Sequence, residues 1–327
     1  MSAKEKGVLV LESLRMSFWS DKIVLVTGGH GFLGTNLVRE LSRRRCRSLI
    51  TPRSEEWDLR VPAVSHKLLK EVEPDIVFHL AAKVGGIGIN KEKPAEFFFD
   101  NLMMSVPLLH QSWEQGVSKF VSVGTVCSYP KHTPVPFVET DLWNGYPEET
   151  NAPYGLATKM MVVAGMAYRT QYNFSSIHLL PANLYGPGDN FAPDSSHVIP
   201  SLIKKCLEAK ESGQDIVEVW GTGKATREFL NVKDAARGIV MAAQEYDAAE
   251  PVNLGSGQEI SIQDLADLIS ELTGYEGEFR WNSNRPDGQP RRCLDVSRAF
   301  TNFGFRAEIG LREGLQETIA WYREFEN

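Results

Sequence analysis

Apolar positions recur in short, regular blocks along the first half of the chain. Ile23-Val-Leu-Val-Thr27 is a β-branched run that stops at Gly28-Gly-His-Gly-Phe-Leu-Gly34. Beyond the glycines, Leu33, Leu37, Val38 and Leu41 fall at helical spacing, so the unit reads strand, turn, helix. A second strand ends near Leu49-Ile50-Thr51. The third, Asp75 to Leu80, follows a helical stretch at Leu68–Val72, and the fourth, Phe120 to Val123, follows one at Leu108–Gln115. Ser175 to Leu180 reads as a fifth strand after a long helix from about Pro153 to Gln171. Strands alternating with helices predict a doubly wound parallel α/β sheet, and continuous apolar runs suit strands covered on both faces.

After Pro181 the texture changes. Asn183 to Pro200 is rich in Gly, Pro, Asn, Asp and Ser, as a long functional loop would be. Ser261-Ile-Gln-Asp264 predicts a helix start, with Leu265, Leu268, Ile269 and Leu272 on one face and Gly274 past its end. The expected division is an extension over residues 1–20 and a cofactor-binding domain over 21–182, with a returning segment near 228–255. Residues 183–327 would form mainly a smaller, discontinuous substrate-binding lobe.

The 327 residues are 42% hydrophobic and 24% charged, enough to bury a full core. Net charge is −7, which argues against nucleic acid as a partner. No apolar run approaches the roughly 20 residues needed to span a bilayer. Cys46, Cys127, Cys206 and Cys293 stand far apart, with no metal-ligand spacing. With no signal-peptide pattern, they predict free thiols in a cytoplasmic setting and no metal.

The glycine spacing Gly28-x-x-Gly31-x-x-Gly34, between a strand and a helix, is a dinucleotide fingerprint. It allows a sharp turn, lets backbone approach a pyrophosphate, and offers the helix N-terminus to the anion. NAD binding calls for an acidic residue at the end of the second strand. Here that segment reads Thr51-Pro-Arg-Ser54, so Arg53 and Ser54 point to the 2′-phosphate of NADP. Asp58-Leu59 stands where it can reach the adenine or simply turn the chain. Thr125 and Cys127 follow the fourth strand, at the carboxyl edge where open parallel sheets bind ligands. Tyr154 opens the next helix, and its phenol with the Thr125 hydroxyl can polarise a carbonyl and relay its proton.

These residues, with His79-Leu-Ala-Ala-Lys-Val-Gly-Gly86, Cys127-Ser-Tyr-Pro-Lys131, Asn183-Leu-Tyr-Gly-Pro187, Ser196-His-Val-Ile-Pro200, Trp220-Gly-Thr-Gly223, Arg227-Glu-Phe-Leu230 and Asp287-Gly-Gln-Pro-Arg291, carry a resemblance. From residue 22 onward the chain resembles the extended short-chain dehydrogenase/reductases and, within them, the GDP-L-fucose synthase family. The resemblance implies a Rossmann domain binding NADP(H), with Phe32, Leu33, Ala81 and Ala82 joining the glycines in the cofactor site. It implies 3,5-epimerisation and then 4-reduction of GDP-4-keto-6-deoxy-mannose. Cys127 and His197 would be the acid/base pair, and Thr125 and Tyr154 would hold and protonate the C4 oxygen. Lys83, Asn183, Lys205, Trp220, Arg227 and Asp287 would bind the nucleotide sugar, and a homodimer through long helices is expected. Two alternatives stand beside this reading: a different nucleotide sugar, or a catalytically silent NADP-binding regulator.

One position departs from the pattern. The superfamily places a lysine four residues after its tyrosine; Tyr154-Gly-Leu-Ala-Thr158-Lys159 places threonine there. Lys159 is rotated roughly 140° from Tyr154 on a regular helix. The protein is then impaired at this step, or keeps epimerisation while losing reductase efficiency, or recruits Lys159 through a bulge.

Overall fold

In the computed structural model, which describes residues 18–85, 87–193, 195–285 and 287–325, the alternation of strand and helix runs as the pattern predicts. The elements are β1 (Ile23–Thr27), α1 (Phe32–Arg43), β2 (Ser48–Ile50), α2 (Pro62–Val72), β3 (Ile76–His79), α3 (Ile87–Glu92), α4 (Pro94–Glu114), β4 (Lys119–Val123), α5 (Ala152–Tyr172) and β5 (Ser176–Pro181). Then come β6 (Asn183–Tyr185), α6 (Val198–Ser212), β7 (Ile216–Trp220), β8 (Thr226–Asn231), α7 (Val232–Glu245) and β9 (Val252–Leu254). The chain closes with β10 (Glu259–Ser261), α8 (Ile262–Thr273), β11 (Glu278–Asn282), α9 (Ser297–Phe303) and α10 (Leu311–Phe325).

Six strands form one parallel sheet in the order β2-β1-β3-β4-β5-β9. The order reverses at β1, so the loops after β1 and β3 open a crevice at the carboxyl edge. This is the Rossmann arrangement the glycine motif called for. Val24, Val26, Phe78, Val121, Ile177 and Leu179 are buried within it, because helices cover both faces. Smaller sheets β10-β8-β6 and β11-β7 build the second lobe with α6, α8 and α10 around their own apolar cluster. Ser261 caps α8, its Oγ accepting the Asp264 N–H at 3.0 Å, and Gly274 ends the helix at φ +72°.

Three particulars differ from the pattern. The helical stretch at Leu108–Gln115 is the end of a 21-residue helix, α4, whose mixed outer face hides its period. Trp19, assigned to the extension, is fully buried against Phe78, and its indole N–H donates to Gln244 on α7 at 3.1 Å. Residues 1–17 lie outside the described residues. Finally, Ala299, Phe303 and Phe305 return to the main core with α7 and β9, far beyond position 255. Among the described residues no helix is long and apolar enough to cross a membrane.

Candidate active site

The turn after β1 is built for close approach. Gly28 sits at φ +72°, and a Cβ on it would lie 2.7 Å from the Ala81 nitrogen. A Cβ on Gly34 would lie 2.0 Å from the Gly28 carbonyl oxygen, so α1 packs onto the turn after β1 because Gly34 has no side chain, while Gly28 lets the chain after β3 pass close by. Gly31 is the N-cap of α1 and brings no side chain, which leaves the helix N-terminus open to an anion. Phe32 and Leu33 are half-buried behind it, with Leu33 against the core; Ala81 is half-buried and Ala82 exposed across the crevice. Arg53 and Ser54 are exposed beyond β2, and no ion pair occupies the Arg53 guanidinium among the described residues.

Three expected ligand residues are committed elsewhere. Asp58 pairs with Arg60 through two bonds of 2.9 and 2.8 Å, which holds its carboxyl below the usual range. Leu59 is buried among α2 and α4 residues, so only its main chain remains for a ligand. The Lys83 ammonium lies between Glu96 (2.6 Å) and Asp100 (3.0 Å), and these carboxylates raise its pKa and neutralise the rim charge.

Beyond β4, Thr125 caps a single 3₁₀ turn, Val126–Ser128, its Oγ1 accepting the Cys127 N–H at 3.2 Å. The Ser128 hydroxyl donates to the Gly155 carbonyl at 3.0 Å and thereby joins this turn to the first turn of α5. Tyr154 comes to the same place. Burial first, and the neighbouring Cys127 second, push its phenol well above its ordinary pKa. Arg292 donates to the Cys127 sulfur at 3.4 Å and is itself held by Gln289 at 3.2 and 3.3 Å.

Helix α5 is regular through Lys159, so no bulge recruits that lysine. Its ammonium donates to the Leu142 carbonyl and stands 4.7 Å over the Trp143 ring. Burial lowers its pKa there. Thr158 faces the tyrosine's side of the helix, with its hydroxyl 3.0 Å from Ser128 Oγ and 3.0 Å from the Gly155 carbonyl.

His197 stands at the N-cap of α6, solvent-exposed at its edge yet hemmed in by protein, which lowers its imidazole pKa by desolvation. No hydrogen bond joins its ring to Cys127 among the described residues. Arg227 on β8 donates to the carbonyls of Thr226 (2.7 Å) and Asp287 (2.9 Å). Burial, and then Arg292 nearby, bring its pKa down to about 10. The Asp287 carboxylate is not free: it accepts from the Thr222 N–H (2.7 Å) and hydroxyl (2.8 Å), clasping the β7–β8 turn. Trp220 is 54% exposed with Arg285 over its ring, Lys205 donates to the Glu218 carbonyl, and Asn183 to that of Glu228.

The structure therefore gathers Thr125, Cys127, Tyr154 and Arg227 into one neighbourhood, and among the described residues no hydrogen bond joins His197, Lys205 or Trp220 to it. Arg292 and Gln289 were missed in the sequence. Their signal lay in the doubled arginine closing Asp287-Gly-Gln-Pro-Arg-Arg292: Arg291 pairs outward with Glu259 at 2.6 Å, while Arg292 is buried. Grooves of about 520 Å³ beside α8 and about 350 Å³ beside β10 are lined by none of Thr125, Cys127, Tyr154, Arg227 and Arg292.

Comparison with known proteins places the chain within a family. Residues 24–255 match the model of the NAD dependent epimerase/dehydratase family. GDP-L-fucose synthase 1 of Arabidopsis thaliana is 39% identical over 309 residues, covering 94% of this chain and 95% of that protein. A GDP-6-OMe-4-keto-L-xylo-heptose reductase from C. jejuni superposes with a TM-score of 0.88 at 28% identity, covering 94% and 99% of the two chains. A GDP-L-fucose synthetase from Naegleria fowleri bound to NADP superposes with a TM-score of 0.84 at 28% identity, covering 93% and 95%.

Proposed function

The chain belongs to the NAD dependent epimerase/dehydratase family, and from that premise we propose that it converts GDP-4-keto-6-deoxy-D-mannose toward GDP-L-fucose. It epimerises C3 and C5 and reduces C4, with epimerisation the faster stage. The observation that carries the reading is the Cys127 thiol, held by Arg292 beside the Thr125 hydroxyl and the Tyr154 phenol at the carboxyl edge of a parallel sheet.

The residues fit NADP. The glycine turn brings bare backbone and an open helix N-terminus to where a pyrophosphate would lie, and Arg53, without an ion pair among the described residues, suits with Ser54 a 2′-phosphate. When bound, the reduced cofactor supplies a hydride for C4. The protein's own part begins with the ketone, which acidifies the hydrogens at C3 and C5 because an enolate spreads its charge onto oxygen. Cys127 and His197 act as the acid/base pair, one removing a proton and the other returning it on the opposite face. His197, with its pKa lowered, is neutral near pH 7 and ready to accept. Arg292 fixes the sulfur, while Thr125 and Tyr154 hydrogen-bond the C4 oxygen and Tyr154 protonates it after reduction.

Tyr154 is a weak acid for that last task. Thr158 offers it no charge and Lys159 is spent on the loop at Leu142, so nothing counters the upward push of burial. Exchange at C3 and C5 needs neither group, which separates the two stages. The nucleotide end is met by Trp220, Arg227, Lys205 and Asn183, with Asp287 acting through the turn it clasps.

Two copies pair through α4 and α5, whose outer faces expose Phe98, Phe99, Val106, Val163 and Met166. Free cysteines fit a cytoplasmic setting. The test is incubation with the keto sugar and NADPH in deuterated water, following label at C3 and C5 and nicotinamide absorbance together. Folded protein that introduces no deuterium at either carbon would sink the proposal. A panel of GDP-, UDP- and dTDP-keto sugars tests the base and sugar.

A further inference from the structure

Four buried polar residues stand in one row across the middle of the main sheet. The register aligns Thr27 with His79, His79 with Ser122, and Ser122 with His178, on β1, β3, β4 and β5. Thr27 Oγ1 lies 2.8 Å from His79 Nδ1, and Ser122 Oγ lies 2.6 Å from His178 Nδ1. Burial brings the ring pKa values down to about 4 and about 3, so both are neutral near pH 7. Apolar residues would fill these positions without needing partners.

The row lies just beneath the carboxyl edge, and three of its members are tied to loops above it. Thr27 immediately precedes the glycine turn, and its Oγ1 accepts from the Ala81 N–H at 3.5 Å. His79 Nε2 meets Ser105 Oγ at 2.9 Å, Ser105 donates to Asn101, and Asn101 clasps the Lys83 main chain from both sides at 2.9 and 3.0 Å. The third tie is steric. His178 Nε2, which has no hydrogen-bond partner among the described residues, lies 2.4 Å from where a Cβ on Gly124 would stand. Gly124 directly precedes Thr125.

We infer that His178 is a positioning residue: anchored by Ser122, its imidazole is the floor on which Gly124 rests, and it sets the height of the Thr125–Cys127 turn over the sheet. The inference rests on the reading of Thr125 and Cys127 as acting groups. It assigns the buried ring a task exerted through the turn.

Gly124→Ala, His178→Ala and the double variant test it. In Gly124→Ala the new methyl meets the ring and lifts the turn. Its kcat for the keto sugar should fall at least about ten-fold, with the NADPH KM within about two-fold because the cofactor turn is tied separately. Iodoacetamide should alkylate Cys127, read by peptide mass, at least about three-fold faster. Removing the ring clears the 2.4 Å clash and leaves only the flexible Leu180 side-chain end, 3.0 Å away, to give by a few tenths of an ångström, so the double variant should recover both readouts to within about three-fold of the unaltered protein. The inference is overturned if Gly124→Ala keeps kcat and alkylation within about two-fold, or if the double variant is no better than the product of the singles. Should Gly124→Ala fail to fold, a folded and active double variant supports the inference and an unfolded one overturns it. Alkylation needs no substrate, so it decides this point even if the epimerase reading fails.

Discussion

Replacing Thr158 with lysine is the most direct test of why reduction should lag. Positions 154 and 158 share one face of α5, where side chains four apart have Cβ atoms about 5–6 Å from each other. An ammonium held about 5–6 Å from the phenol oxygen, with an effective dielectric near 20, would stabilise a developing phenolate by about 3 kcal/mol. That corresponds to about two pKa units, drawing the Tyr154 phenol back from the elevated value that burial and Cys127 impose. If about half of this is felt in the proton-transfer transition state, C4 reduction should accelerate roughly ten-fold. Thr158 is only 8% exposed, and its hydroxyl partners Ser128, so the buried ammonium should cost about 3–5 kcal/mol of stability. Single-turnover NADPH oxidation with the keto sugar reads the gain, while deuterium exchange at C3 and C5 should stay within about two-fold. An unaltered protein that already oxidises NADPH as fast as it exchanges deuterium, and a lysine variant that is slower, would refute the reasoning.

Other outcomes follow from the same geometry. Lys159→Met should leave the Leu142 carbonyl unpaired and lower unfolding free energy by about 1–3 kcal/mol in urea titration; an unchanged midpoint would contradict the loop-anchoring role. Arg53→Ala should raise the NADPH KM by about 10- to 100-fold through loss of a charge-assisted contact, and leave the NADH KM alone; equal effects on both would reject the 2′-phosphate role. His178 is held neutral in the fold, with a pKa near 3 against an ordinary 6.5, so unfolding takes up a proton below pH 6.5. Stability therefore falls with pH on its account, by about 1.4 kcal/mol per unit between 6.5 and 3, and His178→Gln should flatten the measured slope by that amount. Phe99→Asp should give monomers in sedimentation if α4 forms the interface; an unchanged mass would place the interface elsewhere.

Much of the architecture is legible in the residue order because its signals are local. A β-branched run ended by glycines, and a hydroxyl–acid pair ahead of an apolar face, specify β1, α1 and α8 within a dozen residues each. The same holds for the 100° step that turns Lys159 away from Tyr154: helical rotation alone dictates it, and the ammonium does lie on Leu142 and Trp143. Availability of charge is another matter. Asp58, Lys83 and Asp287 carried the right chemistry, yet Arg60, the Glu96–Asp100 pair and Thr222 have taken them up. Arg292 reaches Cys127 across 165 positions, and Trp19 finds Gln244 across 225. The histidine row exists only because parallel register aligns four separate strands. Periodicity is a property of neighbours along the chain, so residue order suffices to reveal it. Which donor meets which acceptor, and which charges remain free for a ligand, depends on distances that close only when remote segments pack.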